Sequence, residues 1–361
     1  MAGTAGRTRG QSDFARTASP TLAKVARLAN VSIGTASKAL NGRGKLRAET
    51  RQRVHEAAVA LGFQPNPYAR ALVQGRTFTV GLITDDGFGR FSIPVLLGAE
   101  DALGAGQLAL IFCDSRDDPI RQRHYVSMLV ARRVDGLIVT GRVTDIRQPL
   151  EVPAPIPVVY AVIRSADPAH TCVTYDDEGG GRLAVEHLLA MGRRRIAHVT
   201  GPRHHHAASA RLLGWERALI DAGLPTVRPD LAFGAWSEEW GRQAAVVLAT
   251  EVPDLDGVCC GSDQVARGVI DGLRDAGRRV PDDVAVVGFD NWDVMVTGRR
   301  PMLTSIDPNL HTVGRVAAEH LLAAIDSQPH QGLHLIAPRL VVRESTAAAA
   351  HRANPPPIDA T

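Results

Sequence analysis

Short apolar runs alternate with longer stretches of helical spacing over most of the chain after residue 76. Each run is about the length of a buried parallel strand. The runs are TVGLIT (79–84), LALIF (108–112), DGLIVT (135–140), IPVVYAV (156–162), RIAHVT (195–200), GVCCG (257–261) and VAVVGF (284–289). This alternation predicts right-handed crossovers and an α/β fold with doubly wound parallel sheets.

Two sheets explain the pattern better than one. We place the break at residues 175–177, because a fresh helical stretch and the strand RIAHVT follow it. Polar residues come directly after several of the runs, among them Asp86, Ser262 and Asp290. Since ligands of open α/β sheets bind at the carboxyl ends of strands, we expect a binding site there.

Residues 21–40 show a different pattern, that of two short helices joined by a tight turn. Thr21 can cap the first helix, Asn30 tolerates the left-handed backbone of the turn, and Ser32 can cap a second helix over 33–40. In that helix apolar residues can pack inward. The outer or N-terminal side of the helix then carries Ile33, Gly34, Thr35, Ser37 and Lys38. The pattern predicts a small all-α helix-turn-helix domain over residues 20–64.

Charge is distributed unevenly along the 361 residues. Residues 1–76 contain 13 Lys and Arg against 3 Asp and Glu, whereas the remainder contains 28 against 35. A basic N-terminal domain followed by an acidic body suits binding to a DNA phosphate backbone. The alternative, an amphipathic helical domain with a solvated charged face, explains the charge but not the helix-turn-helix spacing.

Several function classes are disfavoured. The chain has no apolar run of about 18 residues and no apolar secretory leader, so we expect a cytoplasmic protein without membrane contact. Its 4 cysteines form no C-x-x-C pair, and the run 204–206 of three histidines is interpreted as a polar loop rather than a metal site. With no nucleophile elbow, P-loop or dinucleotide motif after a strand, we expect neither an enzyme nor a cofactor.

An ordered series of motifs resembles the LacI/GalR family of bacterial transcription regulators over roughly residues 20–346. The motifs are VARLANVSIGTASKALNG, LGFQPNPYARALVQGRT, RLLGW, GSDQVARG and VVGFDN. The resemblance implies a regulator that binds double-stranded operator DNA and a small molecule. It also implies a two-lobed body of the periplasmic binding protein-like type I fold, with the effector held between the lobes.

Domain boundaries follow from this resemblance. It implies a disordered arm (1–19), the helix-turn-helix domain (20–64), a hinge helix (65–76), an effector-binding and dimerisation domain (77–346) and a disordered tail (347–361). Lobe one would be about 77–175 and 305–335, and lobe two 176–304 and 336–346. The tail lacks a leucine heptad, so we expect a homodimer rather than a tetramer.

The resemblance also assigns DNA contacts. Ile33, Gly34 and Lys38 match the positions that read bases, although Gly34 has no side chain to read with. The remaining residues expected at the DNA are Thr21, Ser32, Thr35, Ser37, Asn41, Arg51 and Asn66. Leu72 matches a minor-groove wedge, with packing between subunits or on the body as the alternative.

Effector contacts are carried over in the same way. Arg211 matches a clamp on sugar hydroxyls, Asp290 an acceptor, and Trp236 a stacking ring. Further expected contacts are Phe91, Ser92, Tyr160, Arg164, Ser262 and Asp263. The aspartate that the family commonly places after the fourth strand is absent from VVYAVIR, which leaves the effector's identity open. We expect Arg211 and Asp290 to be replaceable by alanine without loss of the fold.

The function expected from these features is a repressor whose operator affinity changes when a small molecule, a sugar by resemblance, binds between the lobes. Two alternatives remain within the class: the ligand acts as corepressor, or the protein is an activator. An alternative of another class is a sugar-binding protein or enzyme with no DNA role. The absent secretory leader and catalytic motifs count against it.

Overall fold

The computed structural model describes residues 20–40, 44–63, 75–87, 89–105 and 108–347. The chain divides into two compact units, Met1–Thr77 and Phe78–Thr361, which are described one at a time. Outside the described residues lie the predicted arm 1–19, residues 65–74 of the predicted hinge helix, the tail from residue 348, Asn41, Asn66 and Leu72. Among the helices of the described ranges, none is long and apolar enough to cross a membrane.

The described part of the first unit contains α1 (Leu22–Leu28), α2 (Ile33–Leu40) and α3 (Ala48–Ala60). Thr21 caps α1 by accepting a hydrogen bond from the backbone N–H of Lys24 at 3.4 Å. Asn30 turns the chain with a left-handed φ of 52°. The hydroxyl of Ser32 then accepts from the N–H of Thr35 at 3.1 Å at the start of α2. The predicted helix-turn-helix is confirmed.

Helix α3, which the sequence analysis did not predict, completes the core of this unit. The buried residues come from all three helices and are mostly alanine: Val25, Ala26, Ala29, Ala36, Ala39, Val54, Ala57 and Ala58. Small side chains let the helices approach closely, and the core they form is correspondingly small.

The second unit consists of alternating strands and helices. Its described strands are β1 (Thr79–Thr84), β2 (Ala109–Asp114), β3 (Gly136–Thr140), β4 (Ile146–Arg147), β5 (Val158–Ala161), β6 (Arg164–Ser165), β7 (Thr171–Tyr175), β8 (Ile196–Val199), β9 (Gly257–Cys260), β10 (Ala285–Phe289), β11 (Thr304–Asp307), β12 (Gly332–Ile336) and β13 (Arg339–Val341). Its described helices are α4 (Ser92–Ala105), α5 (Pro119–Ala131), α6 (Asp177–Ala190), α7 (His206–Asp221), α8 (Glu238–Glu251), α9 (Asp263–Asp275), α10 (Asp293–Thr297) and α11 (Leu310–Ile325).

The first sheet has the strand order β12-β7-β5-β3-β1-β2, and all neighbouring strands run parallel. On one face, Leu82 and Ile138 share an apolar cluster with residues of α4 and α11. On the other face, Ile83 and Leu137 cluster with Leu129 of α5. Both faces are therefore covered, which explains why the central strands β1, β3 and β5 are mostly apolar.

The second sheet has the order β13-β11-β10-β9-β8, parallel except for β13, which runs antiparallel to β11. The helices pack in two pairs, α6 against α7 and α8 against α9. Residues of α8 and α9 form a cluster with Val258 and Val286 of the strands. The predicted α/β class with doubly wound parallel sheets is confirmed.

The chain passes between the two sheets three times. It does so after Tyr175, between Asp307 and Leu310, and between Ile336 and Arg339. The expected return from lobe two to lobe one at residue 305 needs correction. Strand β11 pairs with β10 and β13, so lobe two extends to Asp307. Lobe one likewise extends to Ile336, since all of β12 pairs with β7.

Helices α4 and α11 cross at two glycines. A Cβ on Gly98 of α4 would lie 1.9 Å from the carbonyl oxygen of His311, and one on Gly314 of α11 would lie 2.0 Å from that of Val95. At this crossing the two backbones are too close for any residue with a Cβ atom. Helices α4 and α11 therefore pack tightly against each other on the first sheet.

Candidate functional site

A cavity of about 650 Å³ lies at the carboxyl ends of strands from both sheets. The first sheet and its loops contribute Asp86, Arg90, Phe91, Arg142 and Tyr175. The second sheet and its loops contribute His205, Arg211, Trp236, Ser262, Asp290 and Trp292. A crevice in this position is the usual ligand site of open α/β sheets.

The cavity brings together five of the residues selected from the sequence, and each belongs to a different loop or helix start. They are Phe91, Arg211, Trp236, Ser262 and Asp290. These residues combine aromatic faces, a guanidinium, a hydroxyl and a carboxylate. Such a mixture of apolar walls with a few convergent polar groups is typical of small-molecule sites.

The other four selected residues do not line this cavity. Ser92 is buried, and its backbone N–H donates to Asp86 at 2.9 Å. Tyr160 lines a separate pocket of about 310 Å³. The Nε of Arg164 donates to the Thr144 carbonyl at 3.1 Å. For Tyr160 the reason is strand alternation, since its side chain clusters with Val139 on the opposite side of the sheet.

Asp263, the fourth of these residues, lies beneath the cavity wall. Its carboxylate accepts from the backbone N–H of Trp292 at 2.7 Å and from Ser305 Oγ at 2.5 Å. Burial and the neighbouring Asp290 raise the pKa of Asp263. It therefore positions the loop that carries Trp292 instead of facing a ligand directly.

Arg211 is buried and held from three sides. Its Nε and Nη2 each lie 2.8 Å from Oδ1 of Asp177, and its Nη1 donates to the carbonyl of Gly261. Nη1 also lies 3.6 Å from Oδ1 of Asp290. Burial alone would lower the pKa of Arg211, but Asp177 and Asp290 outweigh it and raise that pKa. The guanidinium is thus a fixed, fully charged part of the site.

Two glycines allow Arg211 to reach Asp177. A Cβ on Gly181 of α6 would lie 2.2 Å from the carbonyl oxygen of Arg211, and one on Gly214 of α7 would lie 2.0 Å from that of Glu178. The close crossing of α6 and α7 places the start of α6, with Asp177, directly beside the Arg211 side chain.

Asp290 follows β10 in a strained backbone conformation. Its φ is 98°, and that of the next residue, Asn291, is 48°. The side chain of Asn291 accepts from Arg343 Nη2 at 2.8 Å, which anchors the turn. Burial raises the pKa of the Asp290 carboxyl, while Arg90 and Arg211 lower it. Strain of this kind is common at functional sites, because the surrounding structure must hold it.

Hydrogen bonds connect the loops of lobe one with the helix starts of lobe two around the cavity. Thr144 Oγ1 donates to Oδ2 of Asp177 at 2.7 Å. The backbone N–H at the start of α7, on His206, donates to Asp145 Oδ1 at 2.7 Å. Arg90 of lobe one also donates to Oδ2 of Asp290. Any change in the relative position of the lobes must alter these contacts.

The histidine run begins the helix α7. Trp236 Nε1 donates to Nδ1 of His205 at 2.8 Å, and the planes of the two rings are inclined by 28°. Burial lowers the pKa of His205 and of His206. Within the described ranges, no group of three or more His, Cys, Asp or Glu side chains is arranged to hold a metal ion.

Arg90, Arg142 and Trp292 line the cavity although no sequence motif marked them. Asp86, which also lines it, was marked only by its position after a strand, and its carboxylate accepts from the N–H of Phe91 at 2.7 Å. Arg90 carried no such signal, because its contact with Asp290 joins positions 200 residues apart.

Known proteins resemble this chain over nearly its whole length. Residues 21–66 match the model of bacterial regulatory proteins of the lacI family, and residues 185–346 match the periplasmic binding protein-like domain. The HTH-type transcriptional regulator CelR of Thermobifida fusca is 33% identical over 335 residues, which cover 90% of this chain and 98% of that protein.

Many solved structures resemble the fold, including two that cover nearly the whole chain. A complex of the transcriptional regulator CelR with cellobiose has a TM-score of 0.60 at 30% identity, covering 90% of this chain and 99% of that one. A lac repressor dimer bound to operator and the anti-inducer ONPF has a TM-score of 0.68 at 26% identity, covering 91% and 99%.

Proposed function

The chain belongs to the LacI family of bacterial regulatory proteins, and we propose that it is a repressor released from its operator by a sugar bound in the cavity. As a member of this family it is a DNA-binding transcription regulator and not an enzyme. Corepression by the ligand would reverse the sign of the change in operator affinity, which the experiment below measures. Activation by the protein stays the second alternative.

The exposed face of α2 supports DNA binding by the first unit. Ile33, Gly34 and Lys38 are exposed, whereas Ala36 and Ala39 on the opposite side are buried. The second helix of a helix-turn-helix places such N-terminal and outward residues in the major groove. The basic excess of residues 1–76 supplies attraction to phosphates.

Within this interface, Ile33 is proposed to contact a thymine methyl and Lys38 a guanine acceptor. Thr35, Ser37 and the exposed Arg51 are proposed to contact phosphates. Thr21 and Ser32, Asn41, Asn66 and Leu72 keep the roles that the resemblance implies. The cap hydrogen bond of Thr21 uses its hydroxyl oxygen as acceptor, so the hydroxyl hydrogen can still donate to DNA. Ser32 Oγ also lies 2.9 Å from Thr35 Oγ1, so one of these two hydroxyls donates to the other and only the acceptor keeps its hydrogen for DNA.

The observation that carries the effector proposal is the convergence of Arg211, Trp236 and Asp290 on one cavity at the strand ends. A sugar needs donors and acceptors for its hydroxyls and an aromatic face for its C–H groups, and these three side chains supply them. The relative CelR is named in complex with cellobiose, which supports a sugar as the ligand class here.

The proposed mechanism is a shift between two placements of the lobes. Contacts such as Thr144 to Asp177 and Asp145 to the start of α7 connect the lobes around the cavity. A ligand that bridges the same elements favours one placement over the other. A differential affinity of about 1–3 kcal/mol is enough for such coupling.

The protein is proposed to act as a cytoplasmic homodimer. On the outer side of lobe one, α4 exposes Ile93 and Leu97 by 45% and 49%, and the edge strand β2 exposes Phe112 by 38%. Exposed apolar side chains on a helix beside an unpaired strand edge are typical of an interface. A second copy is the proposed partner, in keeping with the lac repressor dimer.

The test begins with operator fragments selected from random DNA by the purified full-length protein. Fluorescence anisotropy then measures operator affinity with and without cellobiose, ribose and glucose. A fall in affinity with one of these sugars supports induction, and a rise shows corepression. A sugar that binds without changing operator affinity contradicts the proposed coupling, and failure to select any DNA sequence contradicts the DNA contacts.

A further inference from the structure

The Arg90 side chain occupies the part of the cavity beside Asp290, one of the three residues proposed to bind the sugar. Its guanidinium carbon lies 4.9 Å from the centroid of the Phe91 ring and 4.5 Å from that of Trp292. The same guanidinium donates to Oδ2 of Asp290. A single side chain thus covers two aromatic faces and the carboxylate, the features with which a site binds hydroxyls and sugar C–H groups.

The two arginines around Asp290 are held differently. Arg211 has Asp177 and the Gly261 carbonyl as further partners, so it is fixed independently of Asp290. Arg90 has Asp290 and the two rings, and its Nε has no hydrogen-bond partner among the described residues. Its side chain is still 16% exposed. Arg90 is therefore the guanidinium that can leave Asp290 while the rest of the site stays in place.

We propose that Arg90 is an internal competitor of the effector, which must displace it from Asp290 to bind. This inference rests on the proposed function, because it specifies how a sugar enters the same cavity. Asp290 keeps its position when Arg90 leaves, since the backbone turn and the nearby Arg211 hold it. The energy of the broken ion pair is subtracted from the affinity of every ligand, so only a ligand that replaces both contacts binds well.

Displacement of Arg90 also changes how the lobes are connected. Arg90 follows β1 in lobe one, and Asp290 follows β10 in lobe two, so their ion pair joins the lobes across the cavity. A ligand that takes its place removes this contact and supplies its own. Arg90 therefore sets both the threshold concentration for the effector and the change in lobe placement that binding causes.

Calorimetric titration of the full-length dimer with cellobiose, ribose and glucose tests the competition. Arg90→Ala is expected to lower the apparent Kd of the bound sugar by about tenfold, since the competent fraction of the protein rises. Arg279→Ala is the matched control, because it removes an arginine whose ion pair with Asp283 is outside the cavity. An Arg90→Ala variant that folds and binds as weakly as wild type, or more weakly, overturns the inference.

A measurement without ligand separates this inference from the proposed function. Spin labels at Arg132→Cys of lobe one and Gln243→Cys of lobe two report the distance between the lobes, and the native cysteines are buried. Arg90→Ala should broaden this distance distribution, whereas Arg279→Ala should not. An unchanged distribution overturns the role of Arg90 even when no sugar binds. If Arg90→Ala broadens the distance distribution but no sugar binds, the sugar assignment is refuted and the role of Arg90 between the lobes stands.

Discussion

The backbone N–H of Trp292 donates a 2.7 Å hydrogen bond to the buried carboxylate of Asp263. Trp292 lines the cavity and Asp263 does not, so the acid acts on the cavity through the loop that it holds. Because Asp290 lies nearby, the two acids repel each other when both are charged. The stability of this region should therefore depend on pH.

Asp263→Asn should flatten the pH dependence of the free energy of unfolding. Burial and Asp290 raise the pKa of Asp263 to about 8, whereas an unfolded aspartate has a pKa of about 4. Between these values the folded state binds more protons, so stability falls as the pH rises, by up to about 1.4 kcal/mol per pH unit. Urea unfolding at about pH 5, 6 and 7 measures this slope. The exposed Asp282→Asn is the control, and equal slopes for all proteins would refute the prediction.

Arg211→Ala should destabilise the protein by about 3–5 kcal/mol, since it leaves the buried Asp177 carboxylate without its partner. This revises the sequence-based expectation that the change leaves the fold nearly intact. Adding Asp177→Asn should restore part of the loss, because the uncompensated charge is then gone. Denaturant midpoints of the single and double variants measure both effects. A single variant as stable as wild type would show that the pair contributes nothing.

Gly98→Ala should lower the melting temperature, because the added Cβ would meet the His311 carbonyl oxygen at 1.9 Å and push α4 from α11. Overpacking of this kind costs about 1–3 kcal/mol. Gly104→Ala on the same helix is the matched control, since a Cβ there meets nothing within 4 Å. It should leave stability unchanged or raise it by up to about 1 kcal/mol. Calorimetric melting that ranks the two variants in the opposite order would contradict the described crossing.

Arg51→Ala and Lys38→Ala should weaken DNA binding in different ways. Loss of a phosphate contact at Arg51 should reduce affinity for all sequences. It should also make the slope of log K against log salt concentration shallower by about one. Loss of a base contact at Lys38 should cost about 1–3 kcal/mol at one operator position and relax specificity there. Anisotropy titrations over a salt series, with operator and mutated operator, distinguish the two. Identical profiles for the variants would contradict the assigned roles.

Strands buried on both faces were predictable from sequence, because continuous apolar runs mark them. The pattern failed at β7, whose sequence TCVTY mixes threonine with apolar residues, and at the edge strand β12, where half-buried and exposed positions alternate. Helix α3 was missed for a related reason, since its core positions are Val54 and two alanines among charged residues. Local composition does not distinguish such elements from loops; pairing partners far along the chain do.

Within the candidate site, motif positions led to Arg211, Trp236 and Asp290. Each of these residues follows a strand or lies near the start of a helix. Arg90 was not predictable in this way, because its interaction depends on how two separate lobes approach each other. Tyr160 shows the opposite failure. Its position near the end of the expected strand 156–162 suggested the cavity, but its side chain faces the other side of the sheet.

The three passages between the sheets have a consequence for synthesis on the ribosome. Lobe one needs β12, which ends at Ile336, and lobe two needs β13, which ends at Val341. The first sheet therefore cannot be completed before residue 336 has been made, nor the second before residue 341. A product that stops short of β12 contains no finished sheet, and the strands that complete the two lobes are made within a few residues of each other.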